Sequence, residues 1–152
     1  MIKRATFILI LLASIIICHA QQTIEEPVKW NFKFEKINNW EIKVIATAEI
    51  DEGWKLYGVD IPEDGPFPTR LVIEESSANK ALKKTIEVTP SSLKFDDVFE
   101  MEIPFYKEKA IFAINVRVID SSKPIKGYVE FMCCNDEKCL PPSNIDFEFM
   151  IK

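Results

Sequence analysis

The feature that most limits what this chain can become is a period of two. Val28, Trp30, Phe32 and Phe34 alternate with polar residues, and Trp40, Ile42, Val44, Ala46, Ala48 and Ile50 carry the alternation on. Phe112, Ile114, Val116 and Val118 repeat it, as do Ile145, Phe147, Phe149 and Ile151. Successive side chains of a strand point to opposite faces, so such a pattern buries one face and leaves the other in water. Shorter β-rich runs lie at 54–61, 70–74, 84–88 and 125–132. No segment has a convincing helical period, and only residues 77–84 could give a turn or two of helix.

Turn chemistry separates these runs. Lys36-Ile37-Asn38-Asn39 and Asp51-Glu52-Gly53 read as tight connections. The stretch from Pro62 to Pro68, with three prolines and Gly65, cannot be strand interior. Seven to nine short strands without crossover helices predict an all-β fold, an immunoglobulin-like antiparallel sandwich in a single domain, with a closed barrel as the other possibility.

The first twenty residues read as a separate object. Lys3 and Arg4 precede an apolar run from Phe7 to Ile17, and Ala20 stands before Gln21, the layout of a cleaved signal peptide over residues 1–20. Eleven apolar residues fall short of the roughly 20 that span a bilayer, so the mature chain, 21–152, is expected to be exported without membrane insertion. Cleavage removes Cys18 and the only histidine, His19. Without histidine there is no Ser-His-Asp triad, no Cys-His pair and no His-ligated metal. The 19 basic residues lose Lys3 and Arg4, so the formal charge moves from −5 to −7, which suits nucleic acid poorly. No cofactor or metal is expected.

Three cysteines remain within seven residues: Cys133, Cys134 and Cys139. Continuing the alternation puts Val129, Phe131 and Cys133 on one face and Tyr128, Glu130, Met132 and Cys134 on the other. Cys133 then reads as a small buried hydrophobe. Cys134 ends the strand, and a four-residue polar loop can bring Cys139 back to disulfide distance, about 5.5 Å between Cα atoms. A Cys133–Cys134 bridge would need an unusual eight-membered ring. Three cysteines, two adjacent and facing opposite ways, do not make a zinc cage. A ring this small restrains the unfolded chain by only about 2 kcal/mol, so stability alone is a weak reason for the pair. A minor staple on a surface loop stays open as the plain reading. Asp136 and Glu137 oppose thiolate formation, and only Lys138 beside Cys139 favours it.

Three stretches carry a resemblance: Asp51-Glu52-Gly53-Trp54-Lys55-Leu56-Tyr57, then Gly65-Pro66-Phe67-Pro68-Thr69, and Cys134-Asn135-Asp136-Glu137-Lys138-Cys139-Leu140-Pro141-Pro142. Together they resemble the N-terminal periplasmic domain of the thiol:disulfide interchange proteins of the DsbD family, above all its free-standing versions. The resemblance implies an immunoglobulin-like sandwich in the periplasm. It implies a thiol:disulfide oxidoreductase, a redox relay that exchanges electrons with thioredoxin-fold proteins or a membrane electron carrier of the DsbD type. Cys139 resembles the cysteine that bonds to partners and Cys134 its resolving partner. Tyr57 matches a tyrosine beside the pair, and Phe99 stands nearest to the phenylalanine of a shielding cap loop. The sequence holds neither the membrane carrier nor the thioredoxin-like domain of full-length members, which leaves donor and client open. Cys133 is a thiol added to the family pattern. The competing expectation is a non-catalytic secreted sandwich that binds a ligand or protein, its disulfide structural.

Overall fold

Long alternating segments become long strands in the computed structural model, which describes residues 25–151. The expected signal segment, with Cys18 and His19, lies outside the described residues. The strands are β1 (Val28–Asn38), β2 (Glu41–Ile50), β3 (Lys55–Tyr57), β4 (Arg70–Ile73), β5 (Asn79–Ala81), β6 (Ile86–Glu87), β7 (Ser92–Asp96), β8 (Met101–Tyr106), β9 (Lys109–Val118), β10 (Ile125–Phe131), β11 (Cys133–Cys134) and β12 (Ser143–Phe149). Every pairing is antiparallel.

One sheet runs β1-β2-β9-β5, with β6 also on β9; a second runs β12-β10-β4; a third runs β11-β3-β8-β7. The first two face each other across the main core. The apolar face of β1 supplies the aromatic filling: Trp30 meets Phe131 at 5.3 Å, Phe32 meets Phe147 at 4.9 Å and Phe34 meets Phe149 at 5.3 Å between ring centres. Ile42, Val44, Ala46 and Ala48 of β2 and Phe112 and Val116 of β9 are sealed beneath them. Each buried side chain of this size contributes about 1.5–3 kcal/mol of transfer free energy. This is the expected immunoglobulin-like sandwich, and not the closed barrel.

Gly127 in the middle of β10 is fixed by proximity to its neighbours. A Cβ there would run into the Val72 carbonyl oxygen of β4 and come within 2.6 Å of the Phe147 ring of β12. Gly53 is fixed by backbone angle, holding a φ of 84° in the turn that delivers the chain to β3.

Four local expectations are corrected. Twelve strands lie among the described residues, because short strands escaped the pattern. Trp40 is not a strand position: β1 continues through Asn38, whose side chain accepts the Trp40 N–H, and Trp40 sits 70% exposed in the turn. The turn therefore falls after Asn38 and not over residues 36–39. Residues 77–84 hold no helical turn; β5 pairs there with Val116–Val118 of β9, because a free sheet edge satisfies three residues' backbone groups better than an isolated turn.

Candidate functional site

β10 and β11 are separated by Met132 alone, and that residue is where the chain leaves one sheet for another. β11 pairs with β3, Cys133 opposite Leu56 and Cys134 opposite Lys55. The alternation survives the transfer, so the adjacent cysteines enter different cores. Cys133 is free, 3% exposed and part of the main core with Leu56 and Phe131. Cys134, 2% exposed, belongs to a small second cluster with Tyr57 and Ile103. Its side is as the sequence implied, but it faces protein there and not water.

Cys134 is bonded to Cys139, their Cα atoms 4.0 Å apart. The loop between them is held without the sulfurs. Asn135 N–H donates to the Lys138 carbonyl at 2.9 Å, and the Asn135 side chain accepts the Glu137 and Lys138 amides at 2.9 and 2.8 Å. Leu140 N–H closes the base on the Cys133 carbonyl at 3.0 Å. Asn135 thus forms the Asx turn that its residue type favours. Cys139 lies at intermediate exposure while Cys134 is buried, so one cysteine is nearer the solvent than the other. Lys138, expected to help a Cys139 thiolate, is engaged elsewhere, paired with Glu25 at 2.7 Å.

All four residues singled out from the sequence come together. Tyr57 on β3 is 1% exposed and forms the floor beside Cys134. Thr69, itself fully buried, donates its hydroxyl to the Tyr57 carbonyl at 2.6 Å, which explains why the proline-rich loop returns to this strand. Phe99, half-buried in the turn between β7 and β8, stands edge-on to the Tyr57 ring at 6.0 Å, and Cys139 packs on the same cluster. Burial first, and then the Asp96 charge, push the Tyr57 hydroxyl well above its ordinary value. Burial alone pushes the Cys133 thiol up to about 11.

The sequence reading missed Asp96 and Lys55. Asp96 Oδ2 receives Lys55 Nζ and the Tyr57 hydroxyl, each at 3.4 Å. Burial is the strongest single influence on Asp96 and raises its pKa. The Val98 amide, the Lys55 charge and the Phe99 amide together outweigh it and hold the carboxyl below its usual value. An acid directly before a tight turn, with a lysine in the strand beside the tyrosine, was the signal available.

A β-sandwich with a disulfide on a hairpin at one end, one cysteine sunk and one nearer the surface, defines a class of small thiol-bearing domains. The chain matches the family described as "Thiol:disulfide interchange protein DsbD, N-terminal" over residues 20–150, and it belongs to that family. The N-terminal periplasmic domain of ScsB from Proteus mirabilis is similar in structure, with a TM-score of 0.63 at 16% identity over 83% of this chain. This chain spans 47% of that one. The N-terminal domain of Neisseria meningitidis DsbD in its reduced form has a TM-score of 0.52 at 16% identity, covering 84% of this chain and 90% of its own. No curated protein sequence matches.

Proposed function

We propose that this chain is an exported thiol:disulfide exchange module working through Cys134 and Cys139, in the periplasm where its family's domains operate. The observation that carries the reading is the unequal burial of the two cysteines on a loop that its own hydrogen bonds already hold. A bridge that adds little to the loop's order is better explained by its chemistry than by stapling.

In the reduced protein the Cys139 thiolate attacks one sulfur of a client disulfide. A Cys139–client bond forms, and the client's other sulfur leaves as a thiolate and takes a proton. The Cys134 thiolate then attacks the Cys139 sulfur, closing the 134–139 bond and expelling the client's second sulfur. Two electrons pass from the pair to the client, and the same steps in reverse, with a donor dithiol, restore it. Thioredoxin-fold proteins or a membrane electron carrier of the DsbD type are the partners proposed. Tyr57 forms the wall beside the pair, and Phe99 shields it between encounters.

Trapping tests the assignment. Cys134→Ala, incubated with an oxidised thioredoxin-fold client, is expected to hold a mixed disulfide on a non-reducing gel, and Cys139→Ala none. Equal trapping by both variants, or trapping through Cys133, removes it. A reduction potential below about −300 mV would mark the bridge as a structural one instead.

A further inference from the structure

Asp96 ends β7 almost wholly out of water, 8% exposed, although it is an acid. Its two oxygens face two ways. Oδ1 accepts the Val98 N–H at 3.0 Å, and the Phe99 amide lies near enough to help hold the carboxyl below its usual value. Oδ2 takes the Lys55 ammonium and the Tyr57 hydroxyl. One side chain therefore ties the backbone of a turn to β3, the strand paired with Cys134.

The turn closes the β7–β8 hairpin, whose ladder ends at the Asp96–Met101 pair, and beyond that base few of its side chains are buried. Asp97 and Glu100 are exposed, Val98 is 76% exposed, and Glu100 takes the left-handed backbone with a φ of 53°. Only the Phe99 ring points inward, onto Tyr57. Hydrogen bonds to a charged acceptor are the stronger kind, and the Val98 amide held on this carboxylate fixes the residue directly before Phe99.

We propose that Asp96 is a positioning residue for the disulfide: by fastening the turn at Val98 to Lys55 and Tyr57, it keeps the Phe99 ring over the Cys134–Cys139 pair. The inference rests on the shielding role given to Phe99 above. With the fastening cut, the turn swings away more often and the bridge meets solvent thiols sooner.

The experiment is the rate at which dithiothreitol reduces the oxidised protein, followed for wild type, Phe99→Ala, Asp96→Ala and the double variant, with thermal unfolding of each as the check on folding. Phe99→Ala and Asp96→Ala are each expected to speed reduction about tenfold, the scale of losing a charge-assisted hydrogen bond. The double variant should be no faster than Phe99→Ala, because Asp96 acts through that ring. Two milder changes separate position from charge and remain readable if Asp96→Ala does not fold. Asp96→Asn keeps an acceptor for the turn amides and should stay within about twofold of wild type, whereas Asp96→Glu keeps the charge, misplaces it and should react about as fast as Phe99→Ala. The reverse order, with Asn fast and Glu slow, would mean that Asp96 merely repels the attacking thiolate, and would overturn the inference. Phe99→Ala fast with both Asp96→Asn and Asp96→Glu at the wild-type rate overturns the inference alone. Phe99→Ala at the wild-type rate overturns the shield and the inference together.

Discussion

The two cores of this domain are built by different means. Between β1, β2, β9, β10 and β12 the strands run seven to eleven residues, and aromatic rings interlock along their whole length. Around β3, β7, β8 and β11 the strands run two to six residues. There three buried side chains, Tyr57, Ile103 and Cys134, are joined by one ion pair, one tyrosine hydrogen bond and one disulfide. The large core depends on non-directional burial spread over many residues, so it tolerates partial loss. The small one depends on a few directed bonds, each of which can be broken singly. Chemistry that requires opening and closing sits more readily in the second, since local openings cost least where buried contacts are few.

That contrast can be broken by measurement. Phe112, fully buried in the large core against Trp30 and Tyr106, should be the most expensive single loss. Phe112→Ala is expected to lower the urea-derived unfolding free energy by about 3–5 kcal/mol. A cost near 1 kcal/mol would mean that the large core is as loosely built as the small one.

Cys133 sharpens the boundary, being chemically like its neighbour yet held in the large core. Its folded pKa of about 11 lies above the 9.0 of an unperturbed thiol. Between those values the native state keeps a proton that the unfolded chain has lost, so stability is intact below pH 9 and falls as pH rises toward 11. The fall attributable to this thiol is about 2–3 kcal/mol, read as the difference between wild type and Cys133→Ala in denaturant titrations across that range. Tyr106, whose value is also raised, is common to both proteins and cancels; Tyr57 cancels except for the smallest of its causes, the Cys133 charge itself. An identical pH profile for the two proteins would place Cys133 in contact with solvent.

The smallest effect belongs to the disulfide. Reduction should cost no more than about 2 kcal/mol and leave the far-ultraviolet β signal in place. Loss of that signal on reduction would show the small half to be supporting the large one.

The same contrast governs what could be read in advance. The alternation of Val28, Trp30, Phe32 and Phe34 announced β1 because from Val28 to Glu35 one face of that strand is apolar and the other polar. β7 carries Leu93 and Phe95 at alternate positions too, but they point to solvent at 63% and 54% exposure, so the pattern there carried no information about a core. β8 has Pro104 in its middle, a residue that argues against a central strand from sequence alone. Strands of two or three residues, such as β5, hold at most one repeat of a two-residue period, too little to show alternation. The cysteine pair, Tyr57 and Phe99 were legible because each lies in, or was sought beside, a short motif with its own chemistry. Asp96 and Lys55 lie forty-one residues apart, and nothing local ties one to the other.

Met132 carries a consequence for ancestry and engineering. Because a single residue links β10 to β11, the identity of the bridging sulfur is decided by parity, the odd or even count of residues from Phe131. Two cysteines stand side by side, and arithmetic alone sends one into the main core as a free thiol and the other into the bridge. Losing or gaining one residue at this joint would trade their places without changing a single side chain. A one-residue slip at this joint would therefore turn the adjacent spare thiol toward the hairpin.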